Sequence, residues 1–115
     1  MSVTPACFVQ GTLLPTAAAA TPGLYASPAN TRSIIRSASV TNTDTVARTF
    51  TFHIVQSGGS ASAANMLAKS EPVGPGATYP IYQAVGQALE VGDYITALSD
   101  AASVMALRVS GVKVV

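Results

Sequence analysis

With 115 residues, the chain is long enough for one domain with a buried core and too short for two. Only 10% of its residues are charged, against about 25% in an ordinary soluble domain, while 49% are hydrophobic, largely Ala and Val. Four Arg and two Lys, scattered singly and offset by acids to a net charge of +1, exclude a phosphate-tracking basic stripe and so argue against nucleic acid as a partner.

No apolar run reaches the roughly 18 residues needed to span a membrane, since Leu13 to Ala20 is broken by Pro15. The first ten residues carry no Lys or Arg, so no signal peptide is expected. Cys7 is the sole cysteine, which rules out an intrachain disulfide; with no cation near it in sequence, it reads as a small buried or interface residue. A surface with so few charges is sticky, and the shortage implies that neighbouring molecules cover much of it.

In chain order, Ala6 to Gln10 predicts a first short strand. Thr12 to Pro28 changes character, with three prolines, Gly23 and the run Ala17 to Ala20. Pro15 and Pro22 bracket too few residues for a secure helix, so an extended arm is expected, with a short strand at Leu24 to Ser27. Residues 1–28 therefore form an N-terminal strand and Ala/Pro-rich arm, and 29–115 the core of a single domain. Arms of this length usually lie against a partner or carry function. The candidate inter-subunit residues are Leu13, Leu14, Pro15, Ala17, Ala18, Ala19, Ala20, Pro22, Leu24 and Tyr25, joined by Arg36 and Arg48, which could pair with acids of another copy.

Ser33 to Gln56 alternates with period two on either side of Asn42, Thr43 and Asp44, residue types that bond their own backbone in turns. An antiparallel hairpin is expected there, with Phe50, Phe52 and Ile54 on the apolar face. Ser57 to Asn65 is a small, polar loop. Met66 to Val73 is a strand, ended by the turn Gly74-Pro75-Gly76. Thr78 to Val85 is an edge strand because of Pro80. Tyr94 to Leu98 and Val104 to Val109 predict a second hairpin around Asp100 to Ser103. Gly111, inside the last strand, marks a bulge or a close backbone approach. Short strands at this spacing, without a helical period, predict an all-β fold: a single antiparallel β-sandwich, jelly-roll-like or Ig-like, of seven to eight short strands with an extended N-terminal arm.

Residues able to do chemistry are few. His53 is the only imidazole, on the Thr-rich face of its strand, and reads as a surface or interface residue. One His and one Cys do not supply the ligands of a zinc site. Asp44, Asp93 and Asp100 each fall in a predicted turn, where a carboxylate accepts backbone N–H groups. No nucleophile has a base at a recognisable spacing, so neither an enzyme nor a cofactor or metal site is expected. Tyr79, Tyr82 and Tyr94 are the only residues suited to a sugar-stacking platform, though half-buried sandwich tyrosines account for them as well.

Leu24-Tyr25, Pro28-Ala29-Asn30-Thr31, Ile34-Ile35, Asn42-Thr43-Asp44, Ala47-Arg48-Thr49, Ser57-Gly58-Gly59, Ala64-Asn65, Pro75-Gly76 with Thr78-Tyr79, Leu89-Glu90 with Gly92-Asp93 and Ile95, and Val109-Ser110-Gly111-Val112 follow one another in an order that resembles small β-sandwich virion proteins of tailed bacteriophages and prophages. The resemblance covers most of Leu24 to Val115, and the first 23 residues depart from it. It implies a non-enzymatic subunit located in the virion, most simply a capsid decoration or cement protein, whose partners are copies of itself and other capsid or tail proteins. The alternative it implies is a collar, tail or fibre component with a receptor- or glycan-binding role.

Overall fold

The computed structural model describes residues 2–115 and contains nine strands: β1 (Val3–Leu13), β2 (Tyr25–Ala26), β3 (Arg32–Asn42), β4 (Arg48–Val55), β5 (Met66–Val73), β6 (Thr78–Pro80), β7 (Ala88–Leu89), β8 (Tyr94–Ser99) and β9 (Met105–Val114). Single 3-10 turns at Ala63–Asn65 and Tyr82–Ala84 complete it. All pairings are antiparallel, in two sheets. Sheet A runs β1-β9-β3-β6, with β7 also on β3, and sheet B runs β2-β8-β4-β5.

Leaving out β7, the strands pair from the outside inwards: β1 with β9, β2 with β8, β3 with β6, β4 with β5. The chain is thus one long hairpin ribbon wound around a core, and β9–β3 and β8–β4 contacts join its turns into two sheets. This is the jelly-roll form of the β-sandwich. Two expected hairpins are overturned by it. β3 lies in sheet A and β4 in sheet B, so residues 43–47 cross between sheets, and residues 100–104 do the same between β8 and β9. Period-two patterns identified the strands correctly but carry no information about which strand is the neighbour. The expected strand Thr78 to Val85 is also shorter: it stops at Pro80, and the chain turns through Tyr82–Ala84.

Between the sheets, Val9, Ile35, Val40, Leu107 and Val109 face Phe50, Phe52, Ile95 and Ala97, all at most 2% exposed. Burying a side chain of this size stabilises the fold by roughly 1.5–3 kcal/mol. Gly111 is the close approach that the sequence suggested: a Cβ there would overlap the Ile34 carbonyl oxygen on β3.

The N-terminal arm belongs to the sandwich. β1 and β2 are members of the two sheets, and Leu14, 1% exposed, sits in the core. From Leu14 the arm crosses to sheet B along β8, held by bonds from Ser99 N–H to the Pro15 carbonyl (2.9 Å) and from Thr96 Oγ1 to the Ala19 carbonyl (3.1 Å). Leu24 N–H then bonds the Ile95 carbonyl (2.8 Å), leading into β2.

Candidate interaction surfaces

The residues proposed for inter-subunit contact divide between interior and surface. Leu14 is buried, while Pro15, Ala18, Ala19, Leu24 and Tyr25 are half-buried against the protein's own sheets. The Tyr25 ring stacks on Phe8 with centroids 4.6 Å apart. Its hydroxyl starts a directed chain: Tyr25 Oη to Ser33 Oγ (2.7 Å), Ser33 to Ser27 Oγ (2.9 Å), and Ser27 to the Thr31 carbonyl (2.9 Å). The carbonyl can only accept, which fixes the direction of each proton upstream. Leu13, Ala17, Ala20, Pro22 and Arg36 remain exposed. They do not share one element: Leu13 ends β1, Arg36 lies at a bulge in β3, and the others follow the β8 edge.

At one end of the sandwich the two crossing connections are fastened together. Asn42, fully buried, donates from Nδ2 to the carbonyls of Val46 (2.9 Å) and Val73 (3.0 Å), and its Oδ1 accepts the Asp44 N–H (2.9 Å). Its backbone bonds Ala77 and Gly76 as well. The expected turn residue is therefore the hub of the corner. Asp44 accepts the Thr45 N–H (2.7 Å) and pairs with Arg48 (2.9 Å), and these two contacts hold its carboxyl below the usual value of 3.8. Arg48 also lies 4.0 Å from Asp100, whose Oδ1 takes the Thr49 N–H (3.2 Å). Arg48 is thus engaged within its own chain.

At the opposite end, Ser57 to Asn65 folds back over the outer face of sheet B. His53 is 2% exposed, not a surface residue, because this loop covers it: Asn65 Oδ1 lies 2.7 Å from His53 Nδ1. Asn65 also takes the Ser62 N–H (3.0 Å) and donates to the Ser60 carbonyl (2.9 Å). Asp93 ties the start of this loop to its own turn, accepting the Ser57 N–H (2.9 Å) and the Glu90 N–H (3.0 Å). Below this loop opens a cleft of about 640 Å³, with Ile54, Met66 and Leu67 among its apolar lining and Gln56, Ser60 and Gln87 among its polar lining. The three tyrosines do not form a platform. Tyr94 is buried with its hydroxyl on the Gly59 carbonyl (3.0 Å), Tyr79 packs edge-on against Phe50, and only Tyr82 is exposed. Among the described residues, no three His, Cys, Asp or Glu side chains gather as a metal site would require.

Asp93 accepts backbone N–H groups as expected of a turn carboxylate, whereas the anchoring role of Asn65 was not foreseen. Cys7 is exposed on β1, so burial, one of the two expectations for it, is not met. β1 is a sheet edge, and it is blunted. Ser2 and Val115 exchange both backbone bonds, so by alternation Val3, Pro5 and Cys7 turn their backbones outward, and Pro5 offers no N–H there. Register shifts after Cys7 and after Gln10 interrupt the rest of the edge.

Charge is distributed unequally between the sheets. The strands of sheet A carry Arg32, Arg36, Arg108 and Lys113 and no acid; Glu90, outside them, pairs with Arg32 at 2.7 Å. The strands of sheet B carry Arg48, Lys69 and Glu71, while Asp44, Asp93 and Asp100 lie in the connections that join the two sheets. Comparison of the chain with protein-family models, curated proteins and solved structures found no match among them.

Proposed function

We propose that this chain is a non-enzymatic structural subunit of a tailed-bacteriophage virion, serving as a capsid decoration or cement protein. The observation that carries the proposal is the uncharged stretch from Met1 to Thr31, which supplies a whole sheet edge, the arm along β8 and part of sheet B. Such a surface is best accommodated where neighbouring subunits cover it. The jelly roll is compatible with this role, being common in viral capsid domains, but it also serves lectins and cupins and so does not assign function by itself. His53, Asp44, Arg48, Asp93 and Asp100 are all engaged in holding connections, as befits a scaffold. Cementing would act through apolar area removed from water, at roughly 25 cal/mol per Å² before the costs of association.

Cryo-EM of the purified particle tests this. Many copies on the capsid lattice, with Leu13, Ala17, Ala20 and Pro22 in contacts, are the expected result. Particles without the protein, beside free monomer in the lysate, would overturn the proposal. The cleft beneath Ser57 to Asn65 favours a second reading, a collar, tail or fibre component with a binding role. A few copies in a ring or fibre at one vertex, together with glycan binding weakened by Gln87→Ala, would establish that reading instead.

A further inference from the structure

The cleft at the Ser57 to Asn65 end draws its lining from both sheets. Ile54 of β4 and Met66 and Leu67 of β5 come from sheet B, and Ala88 of β7 from sheet A. Its volume of about 640 Å³ falls within the roughly 300–1,000 Å³ that small-molecule sites occupy. The loop that roofs it is fastened without help from a ligand. Tyr94 Oη donates to the Gly59 carbonyl (3.0 Å), Asn65 Nδ2 to the Ser60 carbonyl (2.9 Å), and the Ser57 N–H to the Asp93 carboxylate (2.9 Å). Gly92 lies so close to Ser57 that a Cβ on it would overlap the serine side chain. A ligand entering here would have little loop to order, which lowers the cost of binding.

The lining is selective in three respects. Its exposed polar side chains are not used by the fold: Gln56 and Ser60 have no side-chain hydrogen bond among the described residues, and Gln87 makes only a long one, 3.4 Å to the Gln83 carbonyl. Amides and a hydroxyl both donate and accept. The charge is of one sign. Among the described residues Asp93 alone is charged in the lining, and each of its oxygens has taken one backbone N–H and keeps a lone pair for another donor. An anionic ligand would meet that carboxylate and no cation. The third respect is apolar: Ile54, Met66 and Leu67 are only half-buried, and no aromatic ring lines the cleft among the described residues. Apolar contact must therefore be made with small groups such as methyls, not with a face stacked on a ring.

We propose that this cleft binds a neutral saccharide bearing acetamido groups. Such a ligand carries hydroxyl and amide N–H donors for Asp93 and for the side-chain carbonyls of Gln56 and Gln87. Its hydroxyl and acetyl oxygens accept from the two amides and from Ser60. The acetyl methyl supplies the small apolar group that Met66 and Leu67 can cover. A plain glucan has the hydroxyls without the methyl, and a peptide has the amides without the hydroxyls. The ligand class rests on the second reading, a binding role for this cleft, and narrows its glycan to acetamido sugars.

The experiment is an NMR titration of the isotope-labelled full chain with diacetylchitobiose, and with cellobiose and acetyl-trialanine amide for comparison, to about 20 mM, well above a Kd of about 1 mM. The expected result is saturating shifts of the backbone amides of Gln56, Ser60, Asn65, Gln87 and Asp93 with diacetylchitobiose, and clearly weaker binding of the other two. Gln56→Ala and Gln87→Ala should each weaken binding about three- to tenfold, as the loss of one neutral hydrogen bond does. Gln10→Ala, on β1, should leave it unchanged, and thermal unfolding verifies that every variant is folded. No shifts at the highest concentration, shifts scattered outside the cleft, or an equal response to cellobiose would overturn the proposal. So would tighter binding of the peptide, which would keep a binding role for the cleft and give it a protein ligand. A chain that binds diacetylchitobiose yet lies on the capsid lattice would defeat the tail or fibre reading alone; one found at a single vertex that ignores the sugar would defeat this inference alone.

Discussion

The two ends of β4 are secured in different ways. Before Arg48, five residues cross from sheet A to sheet B, fastened by a buried Asn42 and by charge pairs among Asp44, Arg48 and Asp100. After Val55, ten residues without a charge return to form the hairpin with β5, held by the amide of Asn65 and the carboxylate of Asp93. The shorter, more hairpin-like connection is the one that changes sheets, and the longer one joins true neighbours. Loop length is thus a poor guide to pairing when a chain winds as a ribbon, because the partner is fixed by the ribbon and not by the turn.

Substitutions at each end should separate these roles. Asn42→Ala should have the largest effect, a loss of about 2–4 kcal/mol, since it removes two buried donors and the acceptor for Asp44 N–H at a point where both sheets are joined. Denaturant unfolding would measure it as a fall in the midpoint of the whole transition. If the loss stayed below about 1 kcal/mol, Asn42 would not be the hub of the corner. Asn65→Ala should cost less, about 1–2 kcal/mol, because only His53 is left buried without its partner while the other groups reach water. Here hydrogen exchange should rise within Ser57 to Asn65 and stay unchanged at Asn42 to Arg48. Exchange rising equally at both ends would show that the two ends are not independent.

The smallest effect concerns pH. Asp44 is held below the usual carboxylate value by the Thr45 N–H and by Arg48, so the folded state favours its charged form. That contribution is present above the unfolded-state value and is lost as pH falls through the lower, folded one. Asp44→Asn should therefore be less stable than wild type at pH 7, and the difference should shrink as pH is lowered below 3.8. A difference that stays constant with pH would mean that the charge contributes nothing and only the hydrogen bonds count.

Much of the strand content was legible because Phe50, Phe52 and Ile54, or Met105, Leu107 and Val109, alternate as a half-buried strand must. Gly111 was legible as a close approach for the same local reason. What was hidden depends on distant residues. His53 lies on the face that the sequence marked as polar, and its burial follows from a cover supplied by Asn65 and the arm around Ala19. Likewise, Asn42 looks like any turn asparagine until Val73 arrives from 31 positions away to accept its second bond. The contact residues chosen on the arm were half consumed by the arm's own docking, since Leu14 and Tyr25 find their partners in Met105, Phe8 and Ser33. Composition marks such a segment as apolar without saying whose surface it covers.

The pairing of β1 with β9 sets a timetable for synthesis. On the ribosome, sheet B can gather as soon as Ser99 has emerged, since β2, β4, β5 and β8 are then all present. Sheet A cannot, because β9 is the strand that joins β1 to β3. Until β9 has left the exit tunnel, β1 is an uncharged strand waiting for a neighbour, open to other nascent chains of the same kind. Pro5 then acts as more than a feature of the finished edge. Its missing N–H makes the waiting strand a poorer template for premature pairing between chains.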